Sequence, residues 1–225
     1  MSDPFEQIPF SGIEFADNPE PRCPCLLLLD TSASMQGKAI QELNAGLVLF
    51  KDEISADSLA AKRAEIAIVS FGPPKVVTDF QTADYFQPPH LQADNDTPMG
   101  AAIELGLHLL EQRKGAYKNS GVGYFRPWVF LITDGGPTDQ WWAAAEKIKK
   151  GEESQAFSFF AVGVEGANME ILEKLSVRKP LKLKELRFRD LFIWLSSSMK
   201  SVAYSKVGDQ VLLLNPATPD GWASV

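Results

Sequence analysis

The chain has 225 residues, 45% of them apolar and 23% charged, enough for one domain of generous size with its own core. With 22 Lys and Arg against 29 Asp and Glu, the formal net charge is -7. A general basic field is therefore missing, which argues against nucleic acid or an anionic membrane as partner.

The first residues, "MSDPFEQIPF", lack a basic start followed by an apolar core. No apolar run approaches the roughly 20 residues that span a bilayer. A cytoplasmic location is the expectation. Residues 1–22 carry prolines and acids without periodicity, and read as an arm over the domain surface. The only cysteines, Cys23 and Cys25, make neither a disulfide framework nor a four-ligand zinc site. They read as thiols entering a buried strand; a half-site shared with a partner is the alternative.

"CLLLLD", 25–30, is short and wholly apolar before its aspartate, as a strand buried on both faces would be. Ile40, Leu43, Leu47, Phe50 and Ile54 then recur at helical spacing. "EIAIVSFG", 65–72, is a second strand, and "KVVTDF", 75–80, pairs with it as an antiparallel edge. A loop rich in Pro, Asp and Asn leads to "TPMGAAIELGLHLLEQ", with Thr97 as N-cap and Pro98 as first helical residue.

"WVFLITD", 128–134, is another buried strand ending in aspartate. A helix near 139–150, a strand at 157–164, a short helix at 168–176 and a last strand at 181–185 follow. Leu191, Leu195, Met199 and Val202 mark the final helix. Strands alternating with helices predict an α/β, doubly wound (Rossmann-like), mainly parallel six-stranded sheet, with one antiparallel edge strand and helices on both faces. The domain spans 23–204; residues 205–225, with "VLLL" and Trp222, form a tail expected to dock on it.

Ligands of open parallel sheets bind beyond the carboxyl ends of the strands. Asp30 and Asp134 both end strands at that edge, and the loop "ADNDTPMG" opens a helix there. Side chains two apart in an extended segment point the same way, so Asp30, Ser32 and Ser34 aim their oxygens at one point. Thr97 and Asp134 can join from neighbouring loops. Five oxygens without nitrogen or sulfur suit a hard cation, Mg²⁺ or Mn²⁺, with Ca²⁺ less suited to so small a cage. The helix expected just after Ser34 turns its positive end toward the site and favours an arriving anion. Capping and turn formation are the plain alternatives for each residue taken singly.

These residues carry a resemblance. "DTSAS", a later threonine and "TDG" resemble the metal-ion-dependent adhesion site (MIDAS) of von Willebrand factor A domains. The resemblance implies Asp30, Ser32, Ser34, Thr97 and Asp134 as metal ligands; Ala33, where glycine is frequent, supplies no ligand in the family. "DTPMGAAI", "YFRPWVFLITDGGPTD" and "LFIWLSSS" are similar to bacterial YegL-like proteins, relatives of the tellurite-resistance-associated TerY group. That similarity implies an intracellular, metal-dependent protein-binding scaffold or adaptor, not an enzyme. Its partner would supply an Asp or Glu carboxylate, and a kinase or phosphatase of a phosphorylation-linked stress response is the implied candidate.

A rim of Asp94, Asn95, Asp96, Asp139, Gln140, Trp141 and Trp142 is expected around the metal. Of these, Asp96, Asp139, Trp141 and Trp142 are the candidate partner-binding residues. Two rivals stand beside this reading. A magnesium-dependent phosphatase-like hydrolase would need an acid two residues after Asp30, where the chain has Ser32. The other is a structural module with an unused metal site. No phosphate-binding glycine loop occurs, and His90 and His108 are isolated.

Overall fold

The structure, a computed structural model, describes Phe15 and residues 17–224. Most of the expected N-terminal arm therefore lies outside the described residues. The elements in chain order are β1 (Cys23–Asp30), α1 (Lys38–Ser55), α2 (Ser58–Arg63), β2 (Ala64–Phe71), β3 (Lys75–Thr82) and α3 (Met99–Asn119). They continue with β4 (Trp128–Thr133), α4 (Trp142–Glu153), β5 (Ser158–Gly163), α5 (Met169–Leu175), β6 (Leu181–Leu183), α6 (Phe188–Ala203) and β7 (Ala223–Ser224).

Among the described residues the strands form one seven-stranded sheet in the order β3-β2-β1-β4-β5-β6-β7. β2, β1, β4, β5 and β6 run parallel, while β3 and β7 are antiparallel to their neighbours. The expected count of six strands with one antiparallel edge is corrected to seven with two. The added strand comes from the tail, where Ala223 pairs with Leu183. A two-residue strand has no periodicity to read; only its tertiary pairing creates it.

Four leucines in a row work because alternate side chains enter opposite cores. Leu27 and Leu29 join Ile66, Ile68, Phe130 and Ile132 under α1 and α6. Leu26 and Leu28 join Val69, Val129, Leu131 and Phe159 under α3 and α4. Covering both faces of the parallel sheet in this way removes its apolar strands from water, the dominant favourable term in folding. Cys23 and Cys25 lie in the first of these cores, and burial pushes the Cys23 thiol up to about 12. Both thiols are unpaired, protonated and inert.

Two local devices escaped the sequence pattern. Asp57 accepts the N–H groups of Leu59 and Ala60 and so caps the short α2. The tail is fixed by Trp222, which is buried and packs edge-on against Trp194 at 5.7 Å. Trp194 in turn donates its indole N–H to the Leu214 carbonyl at 2.7 Å. Among the described residues no helix is long and apolar enough to cross a membrane.

Candidate metal centre

The chain runs outward from β1 to β2 and β3, then returns to place β4 on the other side of β1. β1 and β4 therefore flank the point where strand order reverses, and the loops leaving them diverge to open a crevice. Leu29 is level with Ile132, so Asp30 and Thr133 finish their strands side by side.

Asp30 is wholly buried. Its Oδ1 accepts the Ser32 N–H at 2.9 Å, and its Oδ2 accepts the Thr133 hydroxyl at 2.5 Å. After it the chain does not stay extended: Ala33–Met35 is a turn of 3-10 helix. That turn, and not strand alternation, brings Ser32 Oγ within 3.0 Å of Ser34 Oγ. Ser34 donates to Asp134 Oδ1 at 2.6 Å. The two serine hydroxyls and the Asp134 carboxylate are thereby linked across two loops.

Helix α1 begins at Lys38, behind Gly37 with φ +90°, and not directly after Ser34. Its positive end is thus separated from the serines by the 3-10 turn. Ser32 makes no side-chain capping bond there.

Thr97 is buried, and its Oγ1 lies beside Gly135, where an added Cβ would stand 3.7 Å away. Its carbonyl accepts the Thr138 N–H at 2.9 Å, which ties the threonine to the loop carrying Asp134. The expected capping role of Thr97 is not found. Helix α3 starts at Met99 with Pro98 at the cap and no side-chain cap of its own. Its free N–H groups go to Asp139, which accepts from Gly100 at 2.9 Å and from Ala101 at 2.8 Å. A carboxylate from the following loop satisfies these orphan donors better than a neutral hydroxyl, and it leaves the Thr97 hydroxyl uncommitted to the helix.

The expected rim divides. Asp139 is engaged as this cap, and Trp141 is buried beneath the loop. Trp142 is 62% exposed and stacks on Trp141 with ring centroids 3.8 Å apart. Asp94, Asn95, Asp96 and Gln140 are exposed. Asp139 and Trp141 therefore serve the architecture of the site, while Asp96 and Trp142 face solvent.

Two features were not anticipated from sequence. Thr133 holds Asp30, as described. The loops after β1 and before α3 are also zipped together: Asp94 N–H donates to Thr31 O at 2.8 Å, and Ala33 N–H to Asn95 O at 3.0 Å. Gly72 makes that approach feasible, because a Cβ there would come within 2.7 Å of both the Asp94 and Thr31 carbonyl oxygens.

The electrostatics are unfavourable without a cation. Burial raises the Asp30 carboxyl above the ordinary carboxylate range, and the nearby Asp134 raises it further, against hydrogen bonds from Ser32 and Thr133. Burial also raises Asp134, offset in part by the Ser34 hydroxyl. Among the described residues neither carboxylate has a Lys, Arg or His in ion-pair reach. Buried carboxylates are ordinarily paired or bound to metal. The donor set here is entirely oxygen, two carboxylates and three hydroxyls, and fits a hard divalent ion. No cluster of three or more His, Cys, Asp or Glu occurs among the described residues, so the hydroxyls would have to complete the set.

No protein-family model matches the sequence, and no curated protein matches it. Solved structures do. Proximal thread matrix protein 1 from the mussel byssus aligns with 81% of this chain and 49% of its own, at TM-score 0.56 and 16% identity. The pilus adhesin SpaC from Lactobacillus rhamnosus GG, in an open conformation, aligns with 83% of this chain and 31% of its own, at TM-score 0.62 and 13% identity. The vWF domain of the type V pili tip protein Mfa5 from Porphyromonas gingivalis aligns with 82% of this chain and 94% of its own, at TM-score 0.53 and 10% identity. The chain thus spans about half of the mussel protein and under a third of the adhesin. At such identities the likeness establishes architecture, and with the strand order above it shows that the chain has the von Willebrand factor A fold.

Proposed function

We propose that this chain is a divalent-metal-dependent protein-binding module that captures an acidic side chain of a partner. The observation that carries this reading is the pair of buried carboxylates, Asp30 and Asp134, without a cationic partner among the described residues. They sit at the β1/β4 switch point beside three hydroxyls. Asp30, Ser32, Ser34, Thr97 and Asp134 would hold the ion, Mg²⁺ or Mn²⁺. When bound, the ion supplies an electrophilic seat for a carboxylate.

The chain's own residues do the rest. Ser34 orients Asp134 through its hydroxyl and is itself in hydrogen-bond contact with Ser32. Asp139 pins the start of α3, which keeps Thr97 against Gly135. Exposed Trp142, stiffened by stacking on buried Trp141, is an anchor for the partner next to the acidic contact, since rigid aromatics bind at low entropic cost. The finer reading, an intracellular scaffold serving a kinase or phosphatase in a stress response, is supported by the YegL- and TerY-like sequence features alone.

Calorimetric titration of the purified chain with Mg²⁺ and Mn²⁺ tests the metal. Heat is expected from the wild type and none from Asp30→Ala; a wild type silent at millimolar ion defeats the reading. Affinity capture from lysate in magnesium and in chelator tests the partner, which should be lost in chelator.

A further inference from the structure

Thr133 is the last residue of β4 and has no solvent exposure. A threonine at a strand end is unremarkable as a strand former, and its methyl group could account for its presence. Its hydroxyl does something packing does not explain. It donates to Asp30 Oδ2 at 2.5 Å and accepts the Gly135 N–H at 3.2 Å. It therefore joins the carboxylate at the end of β1 to the backbone that follows Asp134. The other Asp30 oxygen is held by the Ser32 N–H. A donor on each oxygen, one from the end of β4 and one from the loop after β1, fixes the plane of the carboxylate.

From this geometry we infer that Thr133 is a positioning residue of the metal centre. It sets the orientation of Asp30 and locks the Asp30 and Asp134 loops in one relative placement. The inference rests on the metal-binding reading above. Without the hydroxyl, Asp30 Oδ2 becomes a buried acceptor lacking a partner, and the carboxylate turns to find one. A metal site then loses its preformed geometry even though no ligand atom has been removed. Outer-shell partners of this kind typically change metal affinity by about 10–100-fold.

The test compares Thr133→Val, which keeps shape and removes the hydroxyl, with Thr133→Ser, which keeps the hydroxyl. Free Mn²⁺ is followed by electron paramagnetic resonance, and metal-free melting is measured alongside. Thr133→Val should weaken Mn²⁺ binding about 10–100-fold, with Thr133→Ser restoring most of the loss. Thr133→Ala replaces the valine variant if that variant does not fold, with the same expected loss. A wild type that binds Mn²⁺ while Thr133→Val binds it equally well overturns this inference and leaves the metal centre standing. Equal weakening in the valine and serine variants also overturns it, because packing and not the hydroxyl would then be responsible. A wild type that binds no Mn²⁺ overturns both.

Discussion

Ser34 and Asp134, 100 residues apart in sequence, meet through a 2.6 Å hydrogen bond from the serine hydroxyl to Oδ1 of the aspartate. The bond offsets only part of what burial costs that carboxylate, whose folded-state pKa stays above its ordinary value. The sign follows by linkage. A carboxyl with a raised folded pKa binds its proton more readily in the native state, so stability falls as pH rises from the ordinary carboxylate value through the raised one.

Removing the charge should therefore stabilise the metal-free chain. Asp134→Asn is expected to melt about 2–4 °C higher in chelator, the shift that about 1 kcal/mol produces in a chain of this size. Its stability should also change less than wild type between neutral pH and pH about 4. The same variant should give no heat with Mg²⁺ or Mn²⁺. Calorimetric scans in chelator decide the matter, and a lower melting temperature for the variant would contradict the electrostatic account.

Gly72 offers a test of how the loops are assembled. It has φ +144°, and an added methyl would press on both Thr31 O and Asp94 O at 2.7 Å. Those two residues are themselves bonded, Asp94 N–H to Thr31 O. Gly72→Ala must push the loop carrying Ser32 and Ser34 away from the loop leading to Thr97. A cost of about 2–3 kcal/mol is expected in urea unfolding, from backbone strain and overpacking. Mn²⁺ affinity of the folded variant should drop as well. Unchanged affinity would show that the zipped loops are not needed for the site.

The opposite end of the sheet holds a different kind of buried charge. Glu65 accepts from Arg22 Nε at 2.9 Å, from Arg113 Nε at 2.7 Å, and from the Tyr117 hydroxyl at 2.5 Å. Burial, and then the Glu65 carboxylate, push the Tyr117 phenol far up, so it remains a donor at every ordinary pH. Here the anion is fully paired, in contrast to Asp30. Glu65→Ala leaves the Arg22 guanidinium, 1% exposed, without its counter-charge. The expected loss is about 3–5 kcal/mol in denaturant unfolding. Because Glu65 lies at the start of β2, away from the switch-point loops, metal affinity of the folded variant should match wild type.

These contrasts show which parts of the molecule were legible in the sequence. The run Leu26–Leu29 announced a strand buried on both faces, and aspartates closing two such strands pointed to the switch point. Local periodicity carries that information. The cap of α3 was not legible. Thr97-Pro98 has the local signature of a helix start, yet the N–H groups are taken by Asp139, which only the fold brings near. The same holds for Asp30 and Thr133, adjacent through β1/β4 register and 103 residues apart in the chain. Helix α2 is a different omission. Its six residues are too few to show a period, and its Asp57 cap is known only from the structure.

Asp57 also yields a pH prediction. The Ala60 N–H first, then the Tyr204 hydroxyl and the Leu59 N–H, hold its carboxyl below the ordinary value, against the opposing cost of burial. A lowered folded pKa gives stability that is present above the unfolded value and lost as pH falls through the folded one. Asp57→Ala should cost about 1 kcal/mol at neutral pH, as N-cap removals do. The gap between wild type and variant should begin to narrow as pH falls past the ordinary carboxylate value of about 4, and keep narrowing as the medium becomes more acid. A gap that stays constant through acid titration would mean that the carboxylate charge is not what caps α2.

The tail gives the sharpest comparison of two substitutions at one position. Trp222 is 4% exposed and lies in the core shared with Phe130, Phe192 and Leu195. Its carbonyl accepts the Lys184 N–H at 3.0 Å, and Lys184 Nζ donates to the neighbouring Gly221 carbonyl at 2.9 Å. The indole N–H of Trp222 is buried and has no acceptor among the described residues. Trp222→Ala removes the ring and leaves a cavity, so a loss of about 3–5 kcal/mol is expected. Trp222→Phe keeps an aromatic ring against Trp194 and deletes a donor that gains nothing from the fold. Its cost should stay below about 1.5 kcal/mol, because lost volume is partly offset by removal of the unsatisfied group. Urea unfolding of the two variants side by side measures the difference. A phenylalanine variant as unstable as the alanine one would show that the indole N–H has a partner, such as an ordered water, that holds β7 against β6.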